Sequence, residues 1–174
     1  HASFSSDFAL KVEKLRDLVQ TTFNQDKLIA ICGNGGSMTD SMHFAAELTV
    51  RYKTTRKAIN SIALGSDPAF TTACANDFGF EKIFARHLEA VARQGDLLIC
   101  LSTSGRSQNV LYALNKAKSI GCHTAVMCGS YTHEVENIAD LVVDVPSVDT
   151  AIIQSCHRLV YHWVVESVED FMSS

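Results

Sequence analysis

The chain has 174 residues, of which 47% are hydrophobic and 20% charged, a composition typical of a folded protein with one core and not of a disordered chain. Its formal net charge is −4 and its basic residues are scattered, which argues against a nucleic-acid partner, and no segment has the length and apolarity that span a membrane. We therefore expect a single domain, residues 1–174, with neither nucleic acid nor membrane among its partners.

Periodicity predicts an N-terminal amphipathic helix over about 4–23, followed by short apolar runs that alternate with helical patterns. The apolar runs predict strands at 28–32, 59–64, 96–101, 123–128 and 140–145. The helical patterns fall at 38–50, 76–93, 107–120 and 149–172. Strands that are apolar throughout and separated by helices form parallel sheets covered on both faces. The chain is therefore expected to be an α/β protein, a three-layer sandwich with a five-stranded parallel sheet.

The N-terminal residues and the cysteines indicate the compartment. No apolar signal segment follows His1, which argues against secretion. The six cysteines form no C-x-x-C pair, and several lie in apolar runs, which favours buried thiols in a reducing cytosol over disulfide bonds. We expect a cytoplasmic protein. The cysteines are Cys32, Cys74, Cys100, Cys122, Cys128 and Cys156.

Two turns rich in glycine or hydroxyl groups follow predicted strands. In the later turn, residues 102–107, free backbone N–H groups and the positive end of the next helix point at one small volume, where an anion fits. Gly105 lets the backbone approach a ligand closely. The turn therefore predicts a phosphate-binding cradle. Its hydroxyl donors are Ser102, Thr103, Ser104 and Ser107.

The earlier turn, residues 33–37, has the sequence Gly-Asn-Gly-Gly-Ser between the first strand and the next helix. Such a turn arises about as often from tight strand–helix packing as from ligand binding. Its spacing fits neither the G-x-G-x-x-G fingerprint nor the P-loop, so we expect no nucleotide cofactor. In a parallel sheet, ligands bind outside the carboxyl ends of the strands, near the point where strand order reverses.

Two groups of side chains could perform chemistry. His43 and Glu47 are four residues apart and share one helix face, either as a solvated pair or as an acid–base pair. Gln154, His157 and His162 lie on the last long helix among apolar residues, where a histidine is more often satisfied by a hydrogen bond than catalytic. Spacing alone does not connect the two groups.

Five segments together resemble the phosphoheptose isomerase family over nearly the whole chain. They are residues 33–37, 42–52, 76–80 and 102–105, and Ile153-Gln154 with His162. The resemblance implies the sugar isomerase (SIS) fold, a flavodoxin-like doubly wound sheet. It also implies a homotetramer with active sites at subunit interfaces, in which the N-terminal helix would pack. The implied reaction converts sedoheptulose 7-phosphate to D-glycero-D-manno-heptose 7-phosphate, the first step toward the heptose of bacterial surface polysaccharide.

The resemblance also implies a role for individual residues. It makes Glu47 the catalytic base and His162 its partner acid. It implies one zinc ion per site, held by His43, Glu47, Gln154 and His162. The implied substrate-binding residues are Asn34, Gly35, Ser37, Asp77, Ser102, Thr103, Ser104, Ser107 and Gln154. Because Gln154 and His162 are separated by about 12 Å on one straight helix, we expect the complete site to draw on a subunit interface.

Other functions remain open at this point. Non-catalytic SIS modules bind a phosphosugar or the bacterial replication initiator, but those relatives lose the catalytic Glu and His, which this chain retains as Glu47 and His162. An isomerase for another sugar phosphate is the second alternative. Ala151-Ile152 stands where the family usually has an acidic and a basic residue, and Arg106 replaces a common Asn, where it would bind phosphate or face solvent.

Overall fold

The computed structural model describes residues 5–173. Five parallel strands form one sheet in the order β2-β1-β3-β4-β5. The strands are β1 (Ile29–Gly33), β2 (Ser61–Ala63), β3 (Leu97–Ser102), β4 (His123–Cys128) and β5 (Leu141–Asp144). This strand order is that of the flavodoxin-like folds, which confirms the predicted doubly wound parallel sheet.

The helices cover both faces of the sheet. They are α1 (Ser6–Asn24), α2 (Gly36–Thr49), α3 (Pro68–Phe78), α4 (Ile83–Val91), α5 (Gln108–Ile120), α6 (His133–Glu136) and α7 (Thr150–Ser173). Helices α1, α2 and α7 pack in one hydrophobic core, and the other helices pack in a second core on the opposite face. Among the helices of residues 5–173, none is long and apolar enough to cross a membrane.

The central strands have apolar side chains on both faces because helices cover both faces of the sheet. In β3, Leu97 and Ile99 point into the core under α1 and α7, whereas Leu98 and Cys100 point into the core under α4 and α5. All residues of β1 and β3 are buried. Burying a leucine or isoleucine fully contributes about 1.5–3 kcal/mol. The central strands therefore carry uninterrupted apolar runs in place of alternating ones.

One predicted helix differs from the structure by more than two residues at an end. The helix predicted over 76–93 is wrong as a single element, because Gly79 adopts φ +94° and separates α3 from α4 with a 3-10 turn at Phe80–Lys82. Residues 68–75 also belong to α3, which Asp67 caps by accepting a bond from the Ala69 N–H. Apolar periodicity alone did not indicate this capped start.

The N-terminal helix begins at Ser6, and Ser5 caps it by accepting a hydrogen bond from the Phe8 N–H. Its predicted first residue, Phe4, lies outside the described residues. Leu15 and Val19 are fully buried against the same core as α7. The helix is therefore part of its own chain's core, and its packing in an oligomer stays a prediction.

All six cysteines are free and buried. Cys32 and Cys100 are register partners on β1 and β3, with their Sγ atoms 3.5 Å apart. Burial raises the pKa of Cys100 well above its ordinary value, and raises those of Cys122 and Cys128 to about 11 and about 12. These three thiols therefore remain protonated near neutral pH and act as small apolar side chains.

His157 on α7 is the most buried histidine among the described residues. Its burial also shifts its pKa. The residue is 1% exposed, and both of its ring nitrogens are buried. Burial lowers its pKa to about 4, although the Cys128 backbone and the Asp40 charge act in the opposite direction. The folded protein therefore holds His157 neutral at every pH above about 4.

This burial predicts a pH-dependent stability. Between about pH 6.5 and pH 4 the unfolded chain binds a proton at His157 that the folded chain does not. The contribution of His157 is complete above pH 6.5 and is lost as the pH falls toward 4, by about 3 kcal/mol. We expect the His157→Phe variant to lose less stability over this range in urea unfolding. The exposed control His133→Phe should follow the wild type, and parallel losses in wild type and His157→Phe would contradict the prediction.

Candidate active site

The site lies at the carboxyl ends of the paired strands β1 and β3, where the segments that follow them diverge. Gly33 at the end of β1 is the register partner of Leu101, and the two strands continue into separate turns. The turn after β1 leads into α2 on one face of the sheet, and the turn after β3 leads into α5 on the other. Both helices therefore present their N-terminal N–H groups beside the same crevice, where anions bind favourably.

The turn after β3 has the donors predicted for a phosphate cradle. Ser102 is 4% exposed, and its Oγ has no hydrogen-bond partner among the residues described. Ser107 stands at the N-cap of α5 without a side-chain capping bond, while Ser104 Oγ accepts from the Arg106 N–H. A buried hydroxyl without a partner costs about 1–3 kcal/mol, which a ligand at the crevice would offset. Thr103 is half-buried in the same turn.

Two glycines shape the turns. Gly105 has φ +64°, and a Cβ there would collide with the Tyr131 carbonyl oxygen. Gly35, the N-cap of α2, has φ +55° and ψ −121°, a conformation that other residues avoid. The Arg106 guanidinium lies 4.7 Å from the centre of the exposed Tyr131 ring, so its side chain stacks on the surface in this conformation. Of the two alternatives for Arg106, the structure favours the solvent-facing one.

Asn34 and Asn109 connect the two turns. Asn34 Nδ2 donates to Asn109 Oδ1 at 2.9 Å, and Asn109 Nδ2 donates to Asn34 Oδ1 at 2.7 Å. Asn109 is 2% exposed and Asn34 is half-buried, so the paired amides form a partly buried bridge between the turn before α2 and the start of α5. Sequence reasoning missed Asn109. The available signal was its position directly before the apolar face of α5 that begins with Val110.

Three predicted metal ligands converge on one side of the crevice. One ligand atom each of His43, Glu47 and His162 lies within 4.8 Å of the others. The i,i+4 pair is formed, with His43 Nε2 2.9 Å from Glu47 Oε1. His162 Nε2 is buried and has no hydrogen-bond partner within residues 5–173. Burial, and next the neighbouring His43, lower the pKa of His162, so the ring is neutral and able to offer a lone pair.

Gln154 lies near the start of α2 and shares a cleft with one member of the trio, His162. Gln154 lines a cleft of about 570 Å³ together with Asp40, Arg158 and His162, but its Nε2 atom packs against Gly36, 2.7 Å from where a Cβ would stand. Gly36 precedes His43 by seven residues, about 10 Å along α2. A zinc-ligand role for Gln154 therefore stays a prediction.

Asp77 stands near the end of α3, on the sheet face opposite α2 and α7, and accepts a bond from Asn76 Nδ2. It is exposed, and its predicted sugar contact stays a prediction. By contrast, Glu47 and His162 meet within a single chain because α2 packs on α7. Glu47 and His162 therefore do not need a subunit interface to come together. Completion of the rest of the site by another subunit stays a prediction.

A buried carboxylate fixes the loop beside the trio. Glu169, 2% exposed, accepts bonds from the N–H groups of Tyr52, Lys53 and Thr54 at 2.8–3.0 Å. Burial alone would raise the pKa of Glu169, but these bonds outweigh it and lower the pKa on balance. The anchored loop lays the Tyr52 ring on the His162 ring, with centroids 5.4 Å apart.

Arg56 holds the C-terminal end of α2. Its Nη1 and Nη2 atoms donate to the carbonyl oxygens of Leu48 and Glu47, each at 2.6 Å, and its Nε donates to Glu169 at 3.2 Å. Both side chains of this ion pair are almost fully buried. The last turn of α2, which carries Glu47, is therefore capped by a charge-assisted network.

Comparisons with known proteins agree with this geometry. The model of the SIS domain family matches residues 2–129. A phosphoheptose isomerase of Helicobacter pylori strain P12 is 46% identical over 152 residues, which cover 87% of this chain and 79% of that protein. Solved phosphoheptose isomerases from Neisseria gonorrhoeae and Francisella tularensis share 32% and 28% identity, with TM-scores of 0.87 and 0.88. Each similarity covers 92% of this chain and 85% of that structure.

The hydroxyl of Ser102 gives a test that separates ligand binding from stability. We expect Ser102→Ala to weaken binding of inorganic phosphate about tenfold, because a hydrogen bond to a charged ligand is lost. Its stability should not fall and should rise by up to about 1–3 kcal/mol, because a buried hydroxyl that has no partner in the free protein is removed. Titrations followed by NMR and urea unfolding measure the two quantities.

The control for this test is Thr22→Val, which removes a buried hydroxyl bonded to the Leu18 carbonyl on α1. It should leave phosphate binding unchanged, whatever it does to stability. Equal phosphate affinities in wild type and Ser102→Ala would remove Ser102 from the cradle.

Proposed function

This chain belongs to the SIS domain family and, within it, to the phosphoheptose isomerases, and from that premise we propose that it converts sedoheptulose 7-phosphate to D-glycero-D-manno-heptose 7-phosphate. The observation that carries the proposal is the convergence of His43, Glu47 and His162 in the chain that also forms the hydroxyl-rich turn after β3. A non-catalytic phosphosugar sensor would need the turn but not the trio. The trio therefore favours the enzyme.

We propose that the substrate phosphate binds between the two turns. The N-termini of α2 and α5 and the unpartnered Ser102 hydroxyl support this position. Ser37, which is buried in the first turn of α2, would add a hydroxyl. Because the phosphate does not react, its binding energy holds the sugar carbons in place and lowers the barrier through orientation.

The proton transfer is assigned to Glu47. Its carboxylate would remove a proton from the carbon beside the carbonyl, leaving an enediol, and return that proton to the neighbouring carbon. The hydrogen bond from His43 orients the Glu47 carboxylate, and the Glu47 side chain is only 18% exposed. His162, neutral because burial lowers its pKa, would move the protons bound to the two oxygens.

The trio also fits the implied zinc ion. Imidazole and carboxylate are ordinary zinc ligands, and the buried Nε2 of His162 offers a lone pair without a partner in the described chain. We propose that His43, Glu47 and His162 hold zinc, with Gln154 as the predicted fourth ligand. When bound, zinc would polarise the sugar carbonyl as a Lewis acid.

We further propose a single SIS domain that acts in the cytoplasm as a homotetramer and feeds the synthesis of surface polysaccharide. The exposed apolar residues of α7 support self-association, since Leu159 is 66% exposed and Trp163, one turn further, is 40% exposed. The exposure of Asp77 on the far sheet face supports a sugar contact supplied by another subunit.

The isomerase assignment predicts a specific loss in Glu47→Gln. We expect turnover of sedoheptulose 7-phosphate, followed by NMR as new aldose phosphate with and without zinc, to fall about 10²–10⁴-fold, because the positioned base is removed. Glu89→Gln, an exposed carboxylate on α4, is the control and should retain activity. A wild type that binds the sugar phosphate without turnover would favour a regulatory module or another sugar substrate.

The proposed assembly predicts a sedimentation result. At micromolar concentration the protein should have about four times its chain mass of 19.0 kDa. Leu159→Glu should lower the assembly state, because a charge in a packed interface is costly. A wild-type mass equal to that of one chain would contradict the tetramer.

A further inference from the structure

A hydrogen-bond chain leads from the buried carboxylate of Asp40 to the base Glu47. The Tyr161 hydroxyl lies 3.3 Å from Asp40 Oδ1 and 3.0 Å from His43 Nδ1. On the other side of the His43 ring, Nε2 lies 2.9 Å from Glu47 Oε1. His43 is thus held at both nitrogens, by one group on each side.

The Tyr161 hydroxyl has one proton and two acceptors. Asp40 does not depend on that proton, because it also accepts from Arg158 through Nη2 at 2.6 Å and Nε at 3.2 Å. The hydroxyl oxygen can itself accept a bond when its proton turns toward Asp40. Tyr161 can therefore donate its hydrogen bond to either Asp40 or His43 without leaving a buried polar atom unpaired.

Each orientation of that proton selects one tautomer of a neutral His43. If Tyr161 donates to Nδ1, the ring proton must be on Nε2, where it is donated to Glu47. If Tyr161 donates to Asp40, the ring proton is on Nδ1 and is donated to the tyrosine oxygen. In the second arrangement the Nε2 lone pair faces Glu47 and His162, as a metal ligand must.

The surrounding side chains keep this arrangement rigid. The Tyr161 ring is fully buried and stacks on Phe44 with centroids 5.1 Å apart, and Asp40 is 2% exposed. The ring of His43 meets Tyr161 edge to face at 5.6 Å. The two arrangements differ only in the positions of the hydroxyl proton and the imidazole proton, so no side chain needs to move between them.

We propose that Tyr161 is a positioning residue which, with Asp40, sets the tautomer of His43. Without metal, His43 carries its proton on Nε2 and orients Glu47. When zinc binds, the proton resides on Nδ1, and the bond sequence His43 to Tyr161 to Asp40 holds Nε2 toward the metal. This inference rests on the metal site of the proposed function, and it assigns roles to Tyr161 and Asp40 that the reaction itself does not require.

The test reads the tautomer directly. Long-range ¹H–¹⁵N spectra of protein labelled in its imidazole rings distinguish Nδ1–H from Nε2–H, at about pH 8, where an ordinary imidazole is neutral. His43→Gln identifies the signals of His43. We expect Nε2–H in the zinc-free wild type and Nδ1–H after zinc is added.

The deciding variant is Tyr161→Phe, which removes only the hydroxyl and keeps the ring that packs on Phe44. We expect the zinc-free His43 signals to move toward a tautomer mixture, and zinc affinity, measured against a competing chelator, to fall about 10–100-fold. The control Tyr112→Phe removes a hydroxyl from a half-exposed ring on α5 and should match the wild type. Thermal unfolding checks that the variants fold.

Two results would overturn the inference. The first is a Tyr161→Phe variant that matches the wild type in both tautomer and zinc affinity, because the hydroxyl would then have no role. If zinc leaves the wild-type His43 signals unchanged, the tautomer exchange fails together with the metal site. Turnover of the sugar phosphate, measured separately, decides the isomerase assignment, so its failure is distinguishable from the failure of this inference.

Discussion

The parallel pairing of β1 with β3 is the constraint on which the rest of the structure depends. Their register brings Gly33 beside Leu101, so the segments that follow the two strands leave the sheet at adjacent points. The chain leaves β1 toward β2 on one side and leaves β3 toward β4 on the other, so right-handed crossovers place α2 and α5 on opposite faces, in different cores. A crevice with two helix N-termini results from backbone topology before any functional side chain is considered.

Helix α7 connects the core to the chemistry. Its buried positions, among them Val160 and Val164, pack on the sheet, while Tyr161 and His162 lie between them and face α2. Further along, Glu169 anchors the loop that carries Tyr52. The same packing that stabilises the core therefore fixes the relative positions of Glu47, the histidines and the Tyr52 ring, without a separate scaffold.

Much of this fold is predictable from local patterns. The strands of the central sheet are uninterrupted apolar runs because both sheet faces are covered, and His43 and Glu47 are paired because helix geometry alone places them together. The break at Gly79 was missed because a positive φ is a property of one residue that helical periodicity does not register. Local signals thus predict elements better than their ends.

The complete site was not predictable from the same local signals. His162 joins His43 only through the packing of α2 on α7, a contact between distant segments that spacing cannot show and that the family resemblance supplied. Asn109, Asp40 and Tyr161 were missed because a polar residue in an apolar pattern does not reveal its partner. Their hydrogen bonds became visible only with the tertiary structure.

Helix α2 is held at one end by the Asn34–Asn109 bridge and at the other by Arg56. Ser37 and Glu47 stand ten residues apart on it, so about 15 Å of helix separates these two positions. On the proposed function, a phosphate bound at the first turn of α2 and a base at Glu47 are kept at a separation that the backbone of α2 fixes. The length of a ligand would then matter as well as its charge.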